Sequence, residues 1–369
     1  MELSIVLICK NQAWNIARLI DSVLAGTSDI PSREIILVDS ASTDGTIELA
    51  RRYPIDIARL QPSLPLSPAA GRYIGYKRCR GEFVLFLDGD MELIPGWLAP
   101  ALCAIRNTPG AGLLISSRMI ELLPSDTSAF EPSSQEIPFS VPREVSRVSF
   151  VVGGAAVYRR SVLEHVGTFN PYLKSDEEPE LYLRIRQEGY KTLQLDIPIV
   201  RHFTAPQETL SGLLGRRRRN FLLGVGQCIR YHLRSKLLWP YVKERGSWSL
   251  MAALWLSLGL GSLLWTLISH DYFWFSAWTL ALCLLIGLTA LRKRSLRRAL
   301  FSLFHRALMV EGLIKGFLMK PLPPESYPID VEMIQEWNKE REYLSKFLRK
   351  TEPAATVKGR GTIPSLGTP

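Results

Sequence analysis

Blocks of apolar and mixed sequence alternate along the first two hundred residues. "LSIVLI" (3–8) reads as a buried strand. "NQAWNIARLIDSVL" (11–24) repeats apolar residues at helical spacing, with Ala13, Ile16, Ala17, Ile20 and Leu24 inward. "EIILV" (34–38) is a second strand, and a helix through "GTIELARRY" follows with Asp44 as its cap. "IDIARL" (55–60) is a short third strand, "SPAAGRYIGYKRC" (67–79) a helix and "FVLFL" (83–87) another strand. Such alternation predicts a mainly parallel, Rossmann-like α/β sheet with helices on both faces. Right-handed crossovers put the carboxyl ends of parallel strands on one edge, where open α/β sheets bind ligands. Three strands deliver polar residues there: Lys10-Asn11, Asp39 and Asp88-Gly89-Asp90.

Periodicity fades from Ser116 to Ser149, a Ser-, Pro- and Glu-rich stretch expected to form a long, partly mobile excursion over the site. "FVVGGAAVYRR" (150–160) is a further strand in which Gly153-Gly154 allows close backbone approach. "EEPELYLRIRQEGY" (177–190) is a helix. "ETLSGLLGRRRRNFLLGVG" (208–226) puts Leu210, Leu213, Leu214, Phe221 and Leu222 on one helical face amid arginines, the pattern of an interfacial helix. Two uncharged runs follow, Gly246–His270 and Tyr272–Leu291, each long enough to cross a bilayer. Aromatic residues lie near their ends, where amphipathic rings favour the interface. "VEMIQEWNKEREYLSKFL" (331–348) predicts an amphipathic helix, and 351–369 a disordered tail. The expected organisation is therefore a domain over 1–205, basic amphipathic helices over 206–246, a membrane hairpin over 247–291, a cytoplasmic helical segment over 292–350, and the tail.

Charge fixes an orientation for the hairpin. The connection "SHDY" has no Lys or Arg, whereas "GRRRRN", "RSK" and "VKER" precede the first span and "RKRSLRR" follows the second. The positive-inside rule puts both flanks, the catalytic domain and both termini in the cytoplasm, at an inner or plasma membrane. The formal net charge of +10 is concentrated in these flanks, which points to anionic lipid and not to nucleic acid. The amino end reads as no signal peptide, and five scattered cysteines without a CxxC pair fit a reducing compartment.

Two carboxylates at a strand end, with a glycine between them, suit a hard divalent cation. Mg²⁺ is usually held by one or two carboxylates plus substrate phosphates, and Mn²⁺ also favours oxygen ligands. The segments "SIVLICKNQAWNIARLIDSVL", "EIILVDSASTDGTIELA" and "AAGRYIGYKRCRGEFVLFLDGD" together resemble the nucleotide-sugar-binding half of family 2 glycosyltransferases with the GT-A fold. The likeness continues more loosely to about residue 203. It implies a nucleotide-diphospho-sugar donor and Mg²⁺ or Mn²⁺. Lys10 would line the base pocket, Asp39 would bond the base or ribose, Arg72 the nucleotide, Asp88 the ribose or metal, and Asp90 the metal. Read without the likeness, Arg72 could equally make a salt bridge. The resemblance also implies an acceptor base in the pair Glu177-Glu178, with Glu178 first and Glu177 second. His202 lies where some related enzymes place a further metal ligand.

The expected reaction is an inverting, metal-dependent transfer to a lipid-linked or glycan acceptor held at the membrane. The alternatives are transfer to a polyprenyl monophosphate and a non-catalytic sugar-nucleotide-binding adaptor. A nucleotidyltransferase would carry a glycine-rich phosphate loop after the first strand, and "CKNQAWN" supplies none.

Overall fold

The computed structural model describes residues 1–124, 142–145, 154–204 and 209–337. Its first half alternates as the pattern requires: β1 (Leu3–Cys9), α1 (Ile16–Gly26), β2 (Arg33–Asp39), α2 (Thr46–Ala50), β3 (Asp56–Arg59), α3 (Pro68–Arg78) and β4 (Phe83–Asp88). The next elements are β5 (Met91–Leu93), α4 (Leu98–Asn107), β6 (Ala111–Leu122), β7 (Arg143–Glu144) and β8 (Ala156–Arg159). They lead to α5 (Arg160–Val166), α6 (Glu177–Gln187) and β9 (Lys191–Phe203). After these come α7 (Leu210–Arg218), α8 (Gly224–Tyr231) and α9 (Leu238–Tyr241), which runs through a π-helical turn, Val242–Gly246, into α10 (Ser247–Ser269). The last described elements are α11 (Phe273–Lys293), α12 (Leu296–Leu318) and β10 (Glu332–Gln335).

One sheet collects these strands in the order β10-β3-β2-β1-β4-β8-β6-β9-β5, with β7 on β9. The strands β3, β2, β1 and β4 are mutually parallel, as are β6 and β9, while β8, β5, β7 and β10 pair antiparallel. All seven residues of β1 are buried because both faces are covered. Leu3, Ile5 and Leu7 enter one core with α1 and α4; Val6 and Ile8 enter the other with α3, α5 and α6. A third apolar cluster joins Leu173 and Leu183 to Val225, Ile229, Tyr241 and Leu313, fastening the domain to the helices beyond it.

Four expectations change. Residues 331–348 do not begin as a helix: Glu332–Gln335 form β10, an edge strand on β3, held also by Gln335 Nε2 donating to Tyr53 O (2.8 Å) and Ile55 O (2.9 Å). Its continuation past 337 lies outside the described residues. The single helix expected over 208–226 breaks after Arg218, where Asn220 is left-handed (φ 64°), and restarts at Gly224. Leu213 points into protein, fully buried, and not to a membrane surface. The excursion from Ser116 begins instead as the second half of β6, with 125–141 and 146–153 outside the described residues. Gly45, not Asp44, holds the cap position of α2; the Asp44 carboxylate accepts from Thr46 N and, across the loop, from Ala13 N (3.0 Å).

Among the described residues two helices are long and apolar enough to cross a membrane, Leu238–Ser269 and Phe273–Lys293. Packed beside them, α12 crosses α8 at backbone contact. Gly312 and Gly316 sit against the carbonyls of Leu222 and Leu223, and Gly226 against that of Leu313, where a Cβ would collide.

Candidate active site

The parallel register brings three strand ends together. Cys9 is level with Asp39 across β1–β2, and Ile8 with Asp88 across β1–β4. Asp39 is fully buried: its Oδ1 accepts from Ser42 N (2.8 Å) and its Oδ2 faces Cys9 Sγ (3.4 Å). Lys10 is exposed at the end of β1. Lys174, on the loop before α6, donates to Leu66 O (3.0 Å), and burial together with Lys10 holds its pKa below the ordinary lysine range. Neither lysine has an ion-pair partner among the described residues, and the two are close enough for the Lys10 charge to act on Lys174.

The turn after β4 is held from several sides. A Cβ on Gly89 would lie 2.7 Å from Gln12 Cγ and 2.9 Å from Cys9 Cβ, so only glycine fits between the two aspartates. Asn15, 1% exposed, donates to Gly89 O (3.0 Å) and Met91 O (2.9 Å). Beyond the turn, β5 pairs Met91 with His202 on β9, and Phe203 N donates to Asp90 O (2.8 Å). That pairing brings His202 Nε2 to 3.4 Å from Asp90 Oδ2. Burial disfavours the imidazolium, but Asp90 and Asp88 outweigh it and raise the His202 pKa.

On the other side of Asp88 lies Arg72, 2% exposed on α3. Its guanidinium meets Asp88 (2.7 Å), Glu177 (2.6 Å) and Glu178 (2.9 Å). Arg72 thus makes a salt bridge to all three acids, with its side chain only 2% exposed. One cation cannot neutralise three carboxylates in a buried space. Burial raises Glu178 to about 8 despite Arg72, with Glu177 and Asp88 adding to the rise. Glu177 and Asp88 are raised too, by burial first. Gly154, with φ +78° and no room for a Cβ beside the Asp88 carboxylate, donates its N–H to Glu178 Oε1. The close approach expected of that glycine is what positions these acids.

Sequence reasoning missed what holds α6. Its cap residue Asp176 is left-handed (φ 62°) and bonds Tyr241 Oη (2.5 Å) and Arg245 (2.6 Å), in the turn that leads into the first apolar helix. One turn on, Glu180 takes both Arg184 (2.8 Å) and His232 (2.9 Å), while Arg184 also donates to the carbonyls of Val166, Gly167 and Thr168. The left-handed cap and partners up to 69 residues away leave no local signature.

Among the described residues no three acids, histidines or cysteines are gathered as a complete metal cage. The donor set fits a different arrangement. Asp90 is partly exposed, His202 Nδ1 is buried without a partner, and both lie beside Asp88. A hard cation taking one or two groups there would draw its remaining ligands from a diphosphate.

The family model for Glycosyl transferase family 2 matches residues 4–167. Over these residues, somewhat less than half of the chain, the sequence is similar to glycosyl transferase family 2. The matched segment runs from β1 through α5, so it includes Asp39, Arg72, Asp88 and Asp90 and stops short of α6 and His202. Among curated proteins, polypeptide N-acetylgalactosaminyltransferase 6 of Bos taurus is 27% identical over 54% of this chain and 37% of its own length. Glycosyltransferase AglE of Haloferax volcanii is 25% identical over 51% and 62%, and the pre-mycofactocin glycosyltransferase of Mycobacterium tuberculosis 27% over 54% and 42%. The chain thus spans between about a third and two thirds of the length of these relatives. In fold it resembles the mannosyltransferase PcManGT of Pyrobaculum calidifontis, solved with GDP-Man and Mn²⁺ (TM-score 0.56, 16% identity, 86% of this chain and 87% of that one). It also resembles S. aureus TarS 1–349, solved with UDP-GlcNAc (TM-score 0.51, 18% identity, 86% and 90%).

Proposed function

We propose that this chain transfers a sugar from a nucleotide-diphospho-sugar to a membrane-associated acceptor, with inversion at the anomeric carbon, at the cytoplasmic face. The observation that carries the reading is the meeting of Asp39, Asp88 and Asp90 at one sheet edge, with Glu177 and Glu178 bridged to Asp88 through Arg72. The family match, curated glycosyltransferase relatives, and fold neighbours bearing UDP-GlcNAc or GDP-Man with Mn²⁺ support it.

In this reading Asp39 and Lys10 hold the nucleoside, and Lys10 and Lys174 offset the diphosphate charge. Asp90, with His202, holds Mg²⁺ or Mn²⁺, which supplies charge neutralisation for the departing nucleoside diphosphate. Arg72 keeps the acids in register and stays out of the nucleotide pocket. Glu178 is the base. Its Oε1 is taken by Gly154 N–H and Arg72, so Oε2 is the oxygen that receives the acceptor proton. A carboxylate raised to about 8 exchanges that proton near neutral pH, as a general base must. Glu177, bonded to Arg72, would hold Glu178 in place. The apolar helices α10 and α11 would bring the cleft to lipid-borne acceptors, replacing diffusion in bulk with a high local concentration.

The test is turnover of UDP- and GDP-sugars by the purified full chain with Mn²⁺ or Mg²⁺. Asp90→Ala should lower it at least a hundredfold while the thermal midpoint stays within a few degrees. An Asp90→Ala protein as active as the parent, or turnover indifferent to EDTA, refutes the scheme.

A further inference from the structure

A groove of about 570 Å³ runs between α10, α11 and α12. Its walls are apolar and aromatic, with Trp248 and Trp255 on α10, Trp278 on α11 and Leu303 on α12. It reaches from Trp248, at the start of α10, to the level of Leu256. That is a depth of about 12 Å at 1.5 Å per helical residue. At the shallow end Arg306 lies 5.3 Å over the Trp248 ring and pairs with no carboxylate among the described residues. The flank "RKRSLRR" that joins α11 to α12 is positively charged as well, but its residues do not line the groove. Trp255 contributes an indole N–H that is buried without a partner.

Trp248 is also three residues beyond Arg245, which bonds Asp176, the residue before Glu177. The shallow end of the groove is therefore about 5 Å along the helix axis from the side chain that holds the acid-bearing helix. An apolar slot walled by three helices takes one chain more readily than two, and the arginine at its mouth calls for an anionic head.

We propose that this groove binds the single hydrocarbon chain of a polyprenyl phosphate acceptor, with the phosphate at Arg306. The inference rests on the membrane-acceptor reading above and names its substrate class. The sugar is received either by the phosphate itself or by a glycan already attached to it.

The experiment uses the full chain in phosphatidylcholine nanodiscs and a polyprenyl monophosphate carrying a diazirine near its phosphate. Photolabelling should fall on residues 248–256 and 299–307. Unlabelled polyprenyl monophosphate should displace the label at least tenfold more effectively than polyprenol or phosphatidic acid. Arg306→Gln and Ala307→Trp should each cut labelling at least fivefold, and Arg306→Lys should restore most of it. Slow hydrolysis of the sugar nucleotide in Mn²⁺ should be unchanged in all three variants, which also reports that they fold. Label spread over the outward faces of α10 and α11 overturns the proposal. So does equal displacement by polyprenol, or by phosphatidic acid, which would mark a general lipid slot. Labelling needs no donor, so a parent protein that labels as expected but neither binds nor hydrolyses any sugar nucleotide would refute the transferase reading and leave the groove standing.

Discussion

Arg72 faces Asp88, Glu177 and Glu178 with a single charge, and that imbalance sets the chemistry around it. Removing the guanidinium leaves buried carboxylates uncompensated, a change that costs about 3–5 kcal/mol. Arg72→Ala should therefore lower the unfolding midpoint sharply, and Arg72→Lys should recover part of it because an ammonium cannot fork among three partners. Glu178→Gln tests the base separately. With a hydroxyl acceptor, kcat should fall by about 10²–10⁴, whereas an acceptor that attacks through an ionised phosphate oxygen should be nearly indifferent. Asp39, Asp88 and Asp90 were legible because each leaves an apolar strand at the edge where such sheets bind ligands. The partners of Arg72 were not. Glu177 is 105 residues away, and only the folded sheet reveals that α3 and α6 meet behind β4.

At the scale of elements, α6 is fixed by charges that depend on pH. Burial opposes ionisation of Glu180, but Arg184 and the His232 hydrogen bond outweigh it and lower its pKa from 4.5 to about 2. A depressed carboxyl stabilises the fold fully above about pH 4.5 and loses that contribution as pH falls toward 2. The loss amounts to about 3 kcal/mol. Glu180→Gln should be less stable than the parent at pH 7 and show a flatter acid limb in denaturant titrations at pH 5 to 2. The crossing of α8 and α12 gives a second test. Gly312→Ala places a methyl against the Leu222 carbonyl and should cost about 1–3 kcal/mol by thermal unfolding in detergent. Strong periodicity made α1 readable. The break at Asn220 and the strand at Glu332–Gln335 were hidden, the first because one left-handed residue ends a pattern that otherwise continues. The second was hidden because "VEMIQ" carries too few residues to separate strand from helix without the waiting edge of β3.

For the molecule as a whole, the sheet and the apolar helices are not separable blocks. Asp176 reaches Tyr241 and Arg245, Arg186 reaches Glu244 (2.5 Å), and Ser175 Oγ donates to Phe221 O (2.8 Å). A chain cut at residue 205 keeps the sheet strands β1–β9 but loses these ties and β10. It should aggregate, or expose its core to hydrogen exchange, where the full chain does not. The order of these pieces along the sequence has a consequence for biosynthesis. Strand β10 emerges from the ribosome after both apolar helices, yet it covers the outer edge of β3, which was made some 270 residues earlier. An open strand edge invites pairing with other chains. Both apolar helices are thus complete before the sheet is sealed, and a nascent chain stalled between those two events leaves its oldest part unguarded.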